Sequence, residues 1–268
     1  MVFSLRIDIE SGKGIREGIP KILDLLKKYN IKASFYLVMG GESNLFEILK
    51  NPRRDSEIPV RKIKIFSKKE MIRMLLFPRD FVRNNQKILL RILKDGHELG
   101  IHGWKHREWT RGFEKLNIKK TLFKSVKKYI KIFGRKPTTF TSPAFKTNLK
   151  IIRELEKFDF KFISDLDGKK PEKVKSSNIT NIPLTITGKN KTPIIESLVQ
   201  LGYSDEIILK QIIKRIKEEK YATMYIHDLY ECREKIELIE EIFKYLIRNK
   251  IKINTIEEIG NEYLTHNK

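Results

Sequence analysis

The chain has 268 residues, of which 40% are hydrophobic, and this size and composition suit a full core in one α/β barrel-like domain as well as two small domains. Lysine and arginine number 56 against 34 aspartates and glutamates, and the net charge of +22 would attract phosphates, nucleic acid or anionic lipid headgroups. The single cysteine, Cys232, excludes a disulfide framework and indicates a reducing compartment. We find no export signal and no membrane-spanning apolar run, so we expect a cytoplasmic protein.

The first elements alternate between strand and helix. Residues 5–10 alternate apolar and charged side chains, which predicts a strand with Arg6, Asp8 and Glu10 on one face. Residues 18–29 have apolar positions at helical spacing, and residues 33–38 form the apolar run typical of a buried parallel strand. This βαβ order predicts that functional side chains lie at the carboxyl ends of the strands.

Residues 42–94 depart from this rhythm as a basic amphipathic insertion. From residue 60 to residue 94, eleven lysines and arginines accompany only Glu70 and Asp80. Within this stretch, the apolar block at residues 71–78 is flanked by cations, a pattern typical of a surface helix on anionic lipid. An ordinary helix that packs its apolar side on the core fits the same pattern, and the sequence leaves both interpretations open.

The most informative motif follows this insertion. Gly96 ends a helix, a short strand follows, and His102 and His106 then appear four residues apart. On one helical turn or in a tight loop, this spacing directs both imidazoles to one point. Together with the carboxylate of Glu10, the two histidines form the ligand set of a hydrolytic metal site, most naturally zinc. Asp8 is near enough to accept a proton from the attacking water.

The remaining chain continues to alternate between helices and strands. We predict helices over residues 116–133, 148–157, 205–219 and 234–248, and strands over residues 138–142, 160–164, 179–186 and 222–226. His227 and Asp228 follow the last of these strands, so the His227 ring should reach the same edge of the sheet as the metal ligands. No repeat or linker divides the chain, and we predict one domain over residues 1–268.

Three segments carry a resemblance to a known family: residues 8–10, residues 96–106 and residues 225–228. They resemble the motifs of the NodB-type polysaccharide deacetylases, carbohydrate esterase family 4. Within that superfamily, the chain is most similar to the deformylases that act on undecaprenyl-phosphate formamido-arabinose. The segments shared with these deformylases occur in the same order in the chain: residues 5–8, 16–20, 33–35, 164–165 and 182–185.

The resemblance implies an irregular (β/α) barrel of about seven parallel strands. It assigns Asp8 as the base, Glu10, His102 and His106 as metal ligands, and His227 as the acid that protonates the leaving amine. Zinc is the expected metal, with cobalt, nickel or iron as alternatives.

Further residues complete the predicted site. The backbone N–H of Ala144 would stabilise the oxyanion, and Asp165 would orient His227 through its second ring nitrogen, with Asp228 as a competitor for that role. Arg16 and Trp104, together with Arg6, are candidates for contact with the substrate.

One position departs from the family pattern. Many of these deacetylases have an arginine in an Arg-x-Pro segment, where it steadies the base, but Thr141 occupies the matching position here. Arg6 and Arg16 are the candidates to replace that arginine.

We therefore expect a metal-dependent hydrolase that removes a formyl or acetyl group from an N-acylated amino sugar on a polyprenyl-phosphate carrier, at the inner face of the cell membrane. One alternative is a soluble deacetylase of small or polymeric sugars, or another C–N amide hydrolase. Another is a non-catalytic protein that binds anionic lipid or nucleic acid. The basic residues lack the interleaved aromatic side chains of a base-stacking surface, so nucleic acid is not an expected partner.

Overall fold

The fold is built around the first strand, β1 (Val2–Ile9), in which seven of eight residues are buried. The computed structural model describes residues 1–43, 49 and 66–266. Eight further strands in this part of the chain belong to the same sheet: β2 (Ser34–Leu37), β3 (Glu98–Ile101), β4 (Thr139–Phe140), β5 (Phe162–Ile163), β6 (Glu172–Lys173), β7 (Thr180–Asn181), β8 (Tyr221–His227) and β9 (Lys252–Ile253).

The sheet curls into a barrel. Its order is β6–β7–β5–β4–β3–β2–β1–β8, and all pairs are parallel except β6 with β7. Beyond β7 the chain returns to β8 through a parallel bridge between Ile186 and Met224, while β9 pairs with the start of β1. Seven strands, β1 to β5, β7 and β8, therefore surround one interior, which confirms the expected irregular (β/α) barrel.

Helices cover the outside of the barrel, and the longer amphipathic ones apart from α3 bury their apolar stripes against it. The helices of the described part are α1 (Gly12–Glu17), α2 (Ile19–Lys28), α3 (Lys68–Leu76), α4 (Phe81–Asn84), α5 (Gln86–Lys94), α6 (His106–Arg111), α7 (Ile118–Phe133), α8 (Leu149–Lys157), α9 (Ile194–Gln200), α10 (Asp205–Glu218), α11 (Tyr230–Glu234), α12 (Ile236–Arg248) and α13 (Ile256–His266). Within these ranges, no helix combines the length and the apolar composition that a membrane crossing requires.

Most predicted elements are present with ends shifted by a few residues. Strand 179–186 is the largest exception: only Thr180 and Asn181 form a ladder with β5, and Ile186 contributes a single bridge to β8. The short helices α1, α9 and α11 and the C-terminal helix α13 were not predicted. Of the predicted insertion at residues 42–94, the structure contains α3 to α5, whereas residues 44–48 and 50–65 lie outside the described residues.

Candidate active site and metal centre

Three charged side chains form a column along the interior face of β1 and the residue that follows it. Because side chains alternate along a strand, Arg6, Asp8 and Glu10 point the same way, from the barrel interior up to its carboxyl-end rim. Arg6 Nε and Nη2 donate to the two carboxylate oxygens of Asp8 at 2.8 and 2.7 Å. Arg6 is only 1% exposed and lies beneath Asp8, so the structure corrects the prediction that it contacts substrate.

The predicted metal ligands converge above this pair. Glu10 Oε1 lies 3.4 Å from His102 Nε2 and 3.0 Å from His106 Nε2. His102 directly follows β3, and His106 is the first residue of α6, so a tight loop rather than one helical turn brings the two rings together. Asp8 Oδ2 is 3.9 Å from His102 Nε2, which places the predicted base at the edge of the same group.

Gly103 gives this loop its shape. Its φ of +70° lies in the left-handed region, and a Cβ atom there would lie 2.7 Å from Nε1 of the buried Trp109. The loop is also tied to the neighbouring strand, because the His102 N–H donates to the Leu37 carbonyl and the Met39 N–H donates to the Gly103 carbonyl. These backbone contacts therefore fix the path of the loop between the two histidines.

Thr141, the position that departs from the family pattern, supports the metal centre. Its Oγ1 lies 2.7 Å from Nδ1 of His102, and both residues are buried. A partner at Nδ1 fixes the ring orientation and leaves Nε2 directed at Glu10. Arg6 is the arginine that pairs with Asp8, whereas Arg16 is exposed on α1.

Asp228 anchors the segment that presents Glu10. Its Oδ2 accepts hydrogen bonds from the backbone N–H groups of Glu10 and Ser11 and from the Ser11 hydroxyl, at 3.3, 3.0 and 3.0 Å. Burial and the nearby Glu10 raise the pKa of Asp228 to about 7, against these hydrogen bonds. Burial also raises the pKa of Glu10, but the neighbouring histidines outweigh it and hold that pKa well below its usual range.

Asp165 does not lie where the sequence analysis expected it. Its two carboxylate oxygens accept the Ser142 N–H at 3.0 and 2.8 Å, and Oδ1 lies 3.8 Å from Arg6 Nη1. Burial raises the pKa of Asp165 to about 6, although the Arg6 guanidinium and the Ser142 N–H act to lower it. The prediction that Asp165 orients His227 is corrected: the short strand β5 ends beneath the rim and directs Asp165 towards Arg6.

His227 ends β8 directly beside Asp8, its cross-strand neighbour. Its Nε2 lies 3.8 Å from Glu10 Oε1, and its Nδ1 lies 3.7 Å from Oε2 of Glu196, a buried residue of α9. Glu196 was missed in the sequence, although a single charge within the apolar run at residues 194–199 is a usable signal.

Two further predicted residues lie at the rim. Ala144 is exposed in the turn Pro143–Phe145, with a left-handed φ of +54°, and the hydrogen bonds inside that turn use the N–H groups of Phe145 and Lys146. Trp104 is half-buried, and the ammonium groups of Lys124 and Lys128 lie 5.7 and 5.4 Å from its ring centroid. Its ring therefore lies against the lysines of α7, and its contact with substrate stays a prediction.

The sequence profile of the polysaccharide deacetylase family matches residues 7–163, more than half of the chain. The chain belongs to this family. Membership makes it a hydrolase of the class that cleaves amide C–N bonds.

Two similar proteins are named “Probable 4-deoxy-4-formamido-L-arabinose-phosphoundecaprenol deformylase ArnD”. The protein from Shewanella sediminis is 21% identical over 96% of this chain and 86% of its own length. The protein from Wigglesworthia glossinidia brevipalpis is 24% identical over 92% of this chain and 88% of its own length. The crystal structure of a probable polysaccharide deacetylase from Pseudomonas aeruginosa has the same fold, with a TM-score of 0.69, 14% identity, and coverage of 98% and 90% of the two chains.

Proposed function

We propose that this deacetylase-family protein removes a formyl or acetyl group from an N-acylated amino sugar, with water as the co-substrate and formate or acetate and the free amine as products. The main observation that supports this proposal is the convergence of Glu10, His102 and His106 beside the Arg6–Asp8 pair at one rim of the barrel. The names of the two similar proteins suggest that the acyl group is formyl and that the sugar is linked to a polyprenyl-phosphate carrier.

The donor set fits a divalent metal ion. The ligand atoms of Glu10, His102 and His106 lie within 4.8 Å of one another, and the Thr141 contact at Nδ1 leaves Nε2 of His102 for the ion. One carboxylate and two imidazoles suit zinc best, with cobalt, nickel or iron as alternatives. When bound there, such an ion lowers the pKa of water and polarises a carbonyl group.

The protein groups supply the proton transfers. Asp8, held by two hydrogen bonds from Arg6, accepts a proton from the attacking water. The Ala144 N–H at the exposed turn donates to the developing oxyanion. His227 presents Nε2 towards the centre and delivers a proton to the leaving nitrogen as its bond to the acyl carbon breaks.

The test is release of formate or acetate from N-formylated and N-acetylated amino sugars by purified protein loaded with zinc, cobalt, nickel or iron. We expect metal-dependent release that is lost in a His102→Ala/His106→Ala variant, together with near-stoichiometric metal in the wild type by elemental analysis. Failure of every metal to bind, or no release with any loaded protein, overturns the proposed function.

Helix α3 supports an anionic membrane surface as the place of action, because part of its apolar surface faces outward. Two of its charged side chains pair with the protein: Glu70 with Lys13 of α1 at 2.9 Å, and Arg73 with Glu42 at 2.6 Å. Ile72 in the helix is 57% exposed, and Phe77 directly after it is 69% exposed. None of the helix's residues is buried, so an ordinary core-packing helix does not describe it.

The position and charges of α3 fit this role. Lys13 follows Glu10 by three residues, so the ion pair with Glu70 ties α3 to the rim that carries the metal ligands. The exposed cations Lys68, Lys69 and Arg79 border the apolar face, which is the arrangement of a helix lying on anionic lipid. Docking through α3 would place the rim against a lipid-linked substrate.

Vesicle sedimentation tests this surface. We expect the wild type to bind phosphatidylcholine vesicles that contain phosphatidylglycerol, less so at high salt, and an Ile72→Ser/Phe77→Ser variant to bind about tenfold more weakly. Ile247→Ser is the matched control, because Ile247 is 45% exposed in the last turn of α12, at the opposite end of the barrel. Equal binding by both variants, or no wild-type binding, contradicts the membrane proposal and favours a soluble substrate.

A further inference from the structure

A second cluster of ionisable side chains lies on the far side of His227 from the metal centre. Glu196 of α9, His227 and Glu231 of α11 have ligand-type atoms within 4.8 Å of one another, and all three residues are buried. A buried carboxylate costs several kcal/mol unless it is paired or hydrogen-bonded. Two buried carboxylates beside His227 therefore require partners close by, and His227 is the residue they share.

The two carboxylates hold different parts of His227. Glu231 Oε2 accepts the backbone N–H of His227 at 3.1 Å, which fixes the end of β8. Glu196 Oε2 lies 3.7 Å from ring atom Nδ1, while Nε2 on the opposite side of the ring lies 3.8 Å from Glu10 Oε1. The ring thus spans from Glu196 to the metal centre. Tyr225 packs edge-on against it, with ring planes at 80°, and limits its rotation.

Glu196 is itself held in place. It lies in the first turn of α9, where a negative charge interacts favourably with the helix dipole. Its other carboxylate oxygen, Oε1, accepts a hydrogen bond from Gln200 Nε2 at 3.1 Å, one helical turn further on. This contact orients Oε2 towards the imidazole.

The other two carboxylates considered for this role are engaged elsewhere. Asp165 accepts the Ser142 N–H and lies beside Arg6, and Asp228 accepts hydrogen bonds from Glu10 and Ser11.

We propose that Glu196 is the positioning residue for His227. Its carboxylate accepts the Nδ1–H of the ring, so Nε2 is the nitrogen presented to the leaving amine. The separation of 3.7 Å closes to a hydrogen bond when substrate orders the rim, as catalytic contacts often tighten in the substrate complex. The inference rests on the proposed deacylation, and Glu196 touches no reacting atom.

The first test separates acid catalysis from water activation by changing the leaving group. An amine must be protonated as it leaves, whereas 4-nitrophenolate leaves without a proton. We expect Glu196→Gln to lower kcat on the N-acyl amino sugar about 10- to 100-fold at an unchanged KM. On the 4-nitrophenyl ester of the same acid, the fold loss in kcat should be at least about tenfold smaller.

Asp165→Asn is the matched control, because it also removes a buried charge at the rim but acts on the Arg6–Asp8 pair. We expect it to lower turnover of both substrates in proportion. Proportionate losses in Glu196→Gln, with unchanged metal content and thermal unfolding, overturn the role of Glu196.

The second test needs no activity and no variant of Glu196. Two-dimensional ¹H–¹⁵N spectra of the histidine rings of the metal-loaded wild type, with His227 assigned by His227→Gln, should show a proton on Nδ1 of His227. An Nδ1 without a proton overturns the proposal. If the wild type cleaves neither substrate, the proposed function fails, while this spectrum still decides the state of His227.

Discussion

The two halves of the site are built in different ways. The half that we propose binds metal comes from β1 and the loop after β3, so Asp8, Glu10, His102 and His106 are set by the register of one long strand and one short loop. The half that holds His227 depends on α9 and α11, short helices that pack against the end of β8 from separate parts of the chain.

One half of the site is positioned by local backbone geometry and the other by long-range packing. A strand with alternating side chains and a loop with a left-handed glycine specify relative positions over a few residues. Glu196 and His227, in contrast, are 31 positions apart in the chain and meet only because α9 packs on the barrel. The metal half should therefore be sensitive to local backbone changes, and the His227 half to changes in packing.

The largest expected effect is in the metal half. Asp8→Asn should lower kcat on an N-acyl amino sugar about 10³-fold, because the amide cannot accept a proton from water. Metal content should remain near that of the wild type, since Asp8 Oδ2 is 3.9 Å from His102 and is not among the three converging ligands. Kinetics and elemental analysis on the same preparation check both parts. Loss of metal together with activity would make Asp8 a ligand instead.

Two glycines with the same backbone conformation sharpen the comparison. Gly103→Ala should lower the free energy of unfolding by about 2–4 kcal/mol and weaken zinc binding, because the new Cβ atom meets Trp109. Gly134→Ala, at a φ of +68° in open space after α7, should cost only about 1 kcal/mol. Urea unfolding of the two metal-free variants measures both losses in the free energy of unfolding, and competition with a chelator measures zinc binding. Equal costs would show that the loop relaxes easily.

Variants of Thr141 test whether its hydroxyl contact with the His102 ring strengthens metal binding. Thr141→Val removes the hydroxyl partner of His102 Nδ1 at nearly constant volume, and we expect zinc affinity to fall about 10- to 100-fold. Thr141→Ser retains the hydroxyl and should stay within a few-fold of the wild type. Competition with a chelator measures both affinities. A Ser variant as weak as the Val variant would contradict the role of the hydroxyl.

The smallest expected effect is the contribution of Asp165 to the pH dependence of the free energy of unfolding. Burial raises its pKa from 3.8 to about 6, so the folded protein binds this proton more tightly than the unfolded chain does. The resulting stabilisation is complete below about pH 4 and is lost as pH rises to about 6. Relative to Asp165→Asn, the metal-free wild type should lose about 2 kcal/mol over this interval in urea unfolding. Parallel stability curves would contradict the raised pKa.

The sequence predicted the residues of the proposed metal half and the fold class. Arg6, Asp8 and Glu10 at alternate positions, the two histidines after β3 and the alternation of helices and strands follow from local patterns, and the structure bears out the (β/α) barrel that the family resemblance implied. The outward position of Ile72 and Phe77 was not predictable, because an amphipathic pattern does not state which face meets the protein.

The sequence by itself determined which side chains share the interior face of β1 and which histidines approach one another, because strand alternation and loop length act over a few residues. Only the tertiary structure decided that Arg6 pairs with Asp8, that Thr141 contacts His102, and that Glu196 rather than Asp165 faces His227. These contacts join elements far apart in the chain, and the curl of the sheet and the packing of short helices fix their distances.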